Sequence, residues 1–212
     1  GNIIWLTAGE SGEGEDYAYH GWFNLDKFQG YIKDQFEKSD GFYSWNGLRY
    51  FLFEYELHLQ GNAKGNEKIS WSDYSKRKKE DTIEHIYPQT PKDNCWTSEF
   101  NNYSKKQRRI LLNSLGNLVL LGQSKNSEFQ NKCFDFKNRH VNKEGNEVGF
   151  FNGAYSEIEV SSYNKWTPKE IELRGEKMLS FLEERWFMDF EEWNDVSKES
   201  LLQLNFLNGE KI

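Results

Sequence analysis

Between Trp45 and Leu59 large apolar side chains recur at three- and four-residue steps, at Trp45, Leu48, Leu52, Tyr55 and Leu59, with Phe51 beside them. That period gathers them on one face of a helix, which the spacing predicts to be central to the core and to end at Gly61. A weaker pattern at Leu25, Phe28, Ile32 and Phe36 predicts a helix over 25–36, interrupted by Gly30. Thr82 to Tyr87 has a β-branched, period-two character and stops at Pro88, as a short strand does. Ser98 to Leu112 reads as a basic helix with Phe100, Tyr103, Ile110 and Leu111 near one face. Gly116 then turns the chain into an apolar strand, Leu118 to Leu121, that Gly122 breaks. The next segment, up to His140, reads as helical in two pieces with Asn131 capping the second. Residues 141–164 carry no clear period. Thr167, Pro168 and Glu170 stand at N-cap, N1 and N3 of a helix predicted to run to about Trp186. The last 25 residues hold two short amphipathic pieces.

Composition makes this picture specific. Only 36% of the 212 residues are apolar, but 8 Trp, 11 Tyr and 16 Phe supply almost half of that share, so burial rests on rings. The net charge of −7 argues against a protein that coats nucleic acid indiscriminately. The basic residues are nevertheless concentrated in the central third, at Lys76–Lys79, at Lys105–Arg109, and at Lys132, Lys137, Arg139, His140 and Lys143. The acidic surplus lies outside, in Glu10–Asp16 and Glu183–Glu199. Such a middle suits a phosphate backbone, although a solvated surface of mixed charge explains the charges alone. Two cysteines, Cys95 and Cys133, form no CxxC pair, which leaves a structural zinc site unsupported and is consistent with a reducing cytoplasm. No apolar run is long enough for a membrane span. The chain opens abruptly on Gly1 and reads as a piece of a longer protein.

Polar exceptions cluster where strands and helix are expected to converge. Glu84 and His85 lie on the first strand, Asn117 opens the second 32 residues after His85, and Asn126 heads the following helix 9 residues later. A carboxylate and an amide oxygen suit a hard divalent cation. A neutral histidine titrating near about 6.5 suits the deprotonation of water. Asn117 is placed to hold the loop and fix the histidine ring. Each residue also has a blander reading: Glu84 as a surface carboxylate paired with a neighbouring lysine, Asn117 as part of a turn, Asn126 as a helix cap. Lys132 and Lys137 are nearly equal candidates for offsetting phosphate charge.

IEHIYPQ (Ile83–Gln89), a following Trp96, LGNLVLL (Leu115–Leu121) and NSEFQNKCFDFK (Asn126–Lys137) together resemble the HNH, or His-Me finger, nucleases. The variety they resemble most is the C-terminal nuclease domain of GmrSD-like, modification-dependent bacterial restriction enzymes. The resemblance runs from LRYFLFEYE (Leu48–Glu56) to IELRGEKML (Ile171–Leu179). It implies an α+β, mainly helical fold with a small ββα-metal core embedded among aromatic-rich helices. It also implies a nuclease domain over 45–187, an N-terminal extension over 1–44 and a C-terminal tail over 188–212. By resemblance His85 is the general base, Asn117 the middle asparagine, Lys137 the lysine that ends the motif, and Glu84 and Asn126 the metal ligands. Asn at the last position, in place of His, favours Mg2+ or Mn2+ over Zn2+. The implied substrate is DNA, phage or modified DNA included, and the implied neighbour is an upstream ParB-like nucleotide-hydrolysing domain. A catalytically weak DNA-binding or partner-docking module, or an RNA-directed nuclease of the same fold, is the alternative.

Overall fold

A computed structural model describes residues 6–9, 20–23, 25–76, 83–121, 123–186 and 196–210. It is mainly helical, with two small antiparallel sheets. The first pairs β1 (Leu6–Gly9) with β2 (His20–Phe23), and the second pairs β3 (Ile83–His85) with β4 (Leu118–Leu120). The β3–β4 register sets Ile83 opposite Leu120, Glu84 opposite Val119 and His85 opposite Leu118.

Around the second sheet stand the helices that the apolar periods predict. α1 spans Leu25–Lys38 and α2 spans Leu48–Ala63. Leu48, Phe51, Leu52 and Tyr55 of α2 are all buried. Rings carry the packing: Phe51 lies 5.5 Å from Trp45 and 5.8 Å from Phe181, measured between centroids, in tilted geometries that favour aromatic pairs. α2 passes the expected stop at Gly61 and closes instead on Lys64, whose φ of 51° is left-handed. The side chains on both flanks share one core, since Phe28, Ile32, Leu201 and Leu202 are buried in the same cluster as α2.

Three departures from the sequence reading have local causes. The single helix expected over 98–112 is two, α4 (Asn94–Phe100) and α5 (Lys105–Asn113), following the short α3 (Trp71–Ser75). Ser104 forms a capping box with Gln107, and that reciprocal pair starts a new helix inside a continuous apolar period. α6 (Gln123–Phe129) and α7 (Phe134–Arg139) are the two expected pieces, but Cys133 rather than Asn131 stands at the N-cap of α7. Residues 141–164, patternless in sequence, contain α8 (Tyr155–Ser161), held where Glu56 accepts the Tyr155 and Ser156 amides, both at 2.7 Å. α9 (Pro168–Trp186) begins as its capping residues predict, and α10 (Lys198–Leu202) packs against it.

Cys95 and Cys133 form a disulfide, with Cα atoms 6.0 Å apart. The pairing is not what a reading consistent with a reducing cytoplasm foresees: the start of α4 and the α6–α7 connection meet in space. Among the described residues no helix is long and apolar enough to cross a membrane.

Candidate active site

Strand β3, strand β4 and helix α6 follow one another in the order that the polar exceptions require. The turn into β4 is fixed from several sides. Gly116 lies so close to α9 that a Cβ there would be 1.9 Å from the Ile171 carbonyl oxygen. Arg174, fully buried on α9, donates through Nη1 to the carbonyls of Gly116 and Leu118, both at 2.8 Å. Its Nε reaches Glu159 at 3.2 Å, and Glu159 also accepts from the Tyr55 hydroxyl at 2.6 Å. Burial pushes the Glu159 carboxyl up, but Arg174 and Lys177 beside it hold it below the usual carboxylate range.

Asn117 is buried, and its amide makes four hydrogen bonds. Oδ1 accepts from the Tyr87 amide at 2.7 Å and from the Trp166 indole at 3.0 Å. Nδ2 donates to the carbonyls of Tyr87 (3.0 Å) and Leu112 (2.8 Å). Together with the Ile86 amide bonded to the Asn117 carbonyl at 3.0 Å, these bonds clamp the chain just past His85. All four positions of the amide are occupied. Asn117 thus grips the loop rather than the histidine ring.

The ring is met by other residues. His85 Nε2 lies 3.4 Å from Asn113 Oδ1, and Nδ1 lies 3.5 Å from Gln89 Nε2. Asn113 commits its amide hydrogens to the Arg109 carbonyl at 3.2 Å, so its oxygen is the atom that faces the imidazole. A proton on Nε2 is then donated to Asn113 Oδ1, and Nδ1 accepts from the Gln89 amide. Tyr43 lies over the ring, its centroid 4.5 Å away at 46°. Tyr43, Glu84, His85, Pro88, Gln89, Gln130 and Asn131 are among the residues lining a cavity of about 300 Å3.

Lys137 is placed otherwise than a phosphate-facing lysine. It is fully buried, and Nζ donates to Glu84 Oε1 at 2.6 Å and to the carbonyls of His85 (3.2 Å) and Ile86 (3.1 Å). Burial pushes the Glu84 carboxyl up and the Lys137 ammonium down, and each opposes the other's shift. Glu84 is therefore not the surface carboxylate with a neighbouring lysine of its blander reading: it forms a buried clamp between β3 and α7 with a lysine 53 positions away. Lys132 is the exposed member of the pair of candidates, with its ammonium 5.6 Å from the Phe136 ring centre. Asn126 lies in α6, but its side chain is outside the described residues, as are Arg77, Lys78 and Lys79 of the first basic run. Asp93, Cys95 and Cys133 come close enough to share an ion, but the two sulfurs are bonded to each other and offer no thiolate.

The family model for the C-terminal domain of GmrSD restriction endonucleases matches residues 26–181. The chain belongs to that family. No curated protein and no solved structure matches it. Membership in the GmrSD C-terminal family makes this a nuclease-type domain of a restriction endonuclease. The match includes α1 and the turn bearing Tyr43, ahead of the segment from which the sequence resemblance was read. Sequence reasoning missed Tyr43, Gln89 and Asn113 around His85. Asn113 carried one usable signal, a polar residue directly after the apolar triplet Ile110–Leu112 in a helix packed on the core.

Proposed function

We propose that this GmrSD-type domain is an HNH endonuclease that hydrolyses DNA phosphodiesters with His85 as general base. The observation that carries the reading is the imidazole at the cavity wall, with Nε2 against Asn113 and Nδ1 on the side of Gln89. A water that takes the place of the Gln89 amide at Nδ1 gives its proton to that nitrogen as it attacks phosphorus, and positioned acid–base groups of this kind contribute about 10²–10⁴-fold. Asn117 clamps the chain that leaves β3 to the turn that enters β4, and Lys137 acts on the site through Glu84 and the His85 carbonyl.

The metal ligands in this reading are oxygens, the Glu84 carboxylate at the cavity and, on the sequence resemblance alone, the Asn126 amide, a set that suits Mg2+ or Mn2+. Lys137 does not exhaust Glu84, because a carboxylate offers about four acceptor positions. When bound, the cation supplies charge stabilisation for the departing oxygen. The biological setting we infer is the effector part of a bacterial anti-phage restriction protein, joined upstream to a ParB-like nucleotide-hydrolysing domain.

One observation favours a second reading. Glu84 is already neutralised by Lys137, which weakens it as a cation ligand and fits a DNA-binding module of low activity. Nicking of supercoiled plasmid separates the two. Wild-type protein is expected to nick DNA with Mg2+ or Mn2+ and to stop in EDTA, with RNA run in parallel. Tight DNA binding without cleavage under any divalent ion selects the second reading, and equal cutting with and without EDTA refutes the metal.

A further inference from the structure

The cavity beside His85 has walls that water activation alone does not call for. Its lining includes the aromatic and apolar side chains of Tyr43, Ile83 and Pro88 and three carboxamides, those of Gln89, Gln130 and Asn131. Tyr43 is half-buried and comes from a turn built to hold still. Gly41 in that turn has φ of +49°, and a Cβ there would strike the Phe36 ring. Phe42 is buried edge-on between Phe36 and Trp45, and the Ser39 and Ser44 hydroxyls bond at 2.7 Å across the turn.

The Gln130–Asn131 part of the lining is held as firmly. Gln130 has φ of +38°, a left-handed conformation that costs free energy in a non-glycine residue and persists only where the surroundings enforce it. The enforcing contacts are the Trp96 indole, which donates to the Asn131 and Lys132 carbonyls at 3.3 and 3.2 Å, and the Cys95–Cys133 disulfide. This strain presents two exposed amide side chains, Gln130 and Asn131, that contribute nothing to the core.

A fixed aromatic face with carboxamides at its edge is the chemistry that receives a nucleobase. The ring stacks on the base, and each amide offers a donor and an acceptor to the base edge. At about 300 Å3 the cavity lies at the lower end of ligand pockets, enough for one nucleoside rather than several. We propose that the cavity receives the nucleobase next to the scissile phosphate, unstacked from its neighbours and laid against Tyr43, with Gln89, Gln130 and Asn131 at its edge. A base inside a duplex has both faces covered, so the enzyme must draw it out. That step is easiest at a mismatch or in a single strand. The substrate class is therefore DNA with an unpaired or easily unstacked nucleotide at the cut, and this rests on the nuclease reading above.

The test uses one oligonucleotide sequence as matched duplex, as duplex with a single mismatch at the mapped cut, and as single strand. A 2-aminopurine is placed beside the cut, and binding is read in Ca2+ and cleavage in Mg2+. Wild-type protein is expected to brighten the 2-aminopurine on binding and to cut the mismatched and single-stranded forms faster than the matched duplex. Tyr43→Ala is expected to lose both the signal and the preference and to raise KM about tenfold, in the range of one lost base–aromatic stack. Tyr43→Phe, which keeps the ring, is expected to retain both and serves as the folding control. Wild-type and Tyr43→Ala proteins that cut all three forms in the same ratios overturn the proposal while leaving the nuclease reading intact. Wild-type protein that neither binds nor cuts any of the three overturns both.

Discussion

Replacing Lys137 by Met removes the ammonium from a fully buried site. Lys137 is fully buried, Glu84 is nearly so, and the shortest contact between them is 2.6 Å. The aliphatic stem keeps its packing, but Glu84 is left as a buried carboxylate without its counter-ion. Breaking one partner of such a pair costs about 3–5 kcal/mol. The carbonyls of His85 and Ile86 lose a donor as well, which places the expected loss toward the upper end of that range. Urea unfolding followed by tryptophan fluorescence, in EDTA so that no cation substitutes for the lysine, measures it. The pH dependence is the sharper part of the test. Burial already raises the Glu84 carboxyl above its usual value of 4.5, and removing Lys137 raises it further. An acid whose folded pKa lies above its unfolded one contributes stability that is fully present below the unfolded value and is lost as pH rises through the folded one. The deficit of Lys137→Met against wild type is therefore largest at pH 7 and shrinks toward pH 4.5. The double variant Glu84→Gln/Lys137→Met recovers most of the loss at pH 7, because no charge is stranded. A deficit equal at both pH values, or a variant as stable as wild type at pH 7, refutes the reasoning.

Asn117→Asp keeps an acceptor for the Tyr87 amide and the Trp166 indole but sets oxygen against the Tyr87 and Leu112 carbonyls. At about 1–3 kcal/mol for each of the two stranded carbonyls, thermal unfolding is expected to show a loss of about 2–6 kcal/mol, and an unchanged Tm contradicts the clamp. Reducing the Cys95–Cys133 bridge opens a loop with a sequence separation of 38. The chain-entropy relation gives about 4 kcal/mol for that loop, read as a lower urea midpoint in dithiothreitol, and Cys133→Ser is expected to match the reduced wild type.

The parts of this fold legible in the sequence are those whose signal is local. The aromatic period of α2 and the Thr167–Pro168–Glu170 start of α9 locate their helices because periodicity and caps lie within a few residues of the structure they specify. Boundaries set by a single side chain or backbone angle were less visible. Ser104 splits an apolar period that reads as continuous, and Lys64 takes the left-handed cap where Gly61 was the expected stop. In the site, Glu84, His85 and Asn117 were legible as polar residues where the pattern calls for apolar ones. Their contacts were not, since Glu84 meets a lysine 53 positions away and Trp166 bonds Asn117 across 49. Tyr43 belongs to no motif and reaches His85 only through the fold. The cysteines show the same limit: a 38-residue separation carries no sign of pairing until α4 and the α6–α7 connection are set side by side.

The central claim is that His85 takes the proton from the attacking water. Single-turnover cleavage of one DNA substrate by His85→Gly, in Mg2+ with and without added imidazole, tests it most directly. The account predicts a rate at least about 10²-fold below wild type at unchanged DNA affinity, with part of it restored by imidazole entering the vacated cavity. Cleavage by His85→Gly at the wild-type rate without imidazole contradicts it.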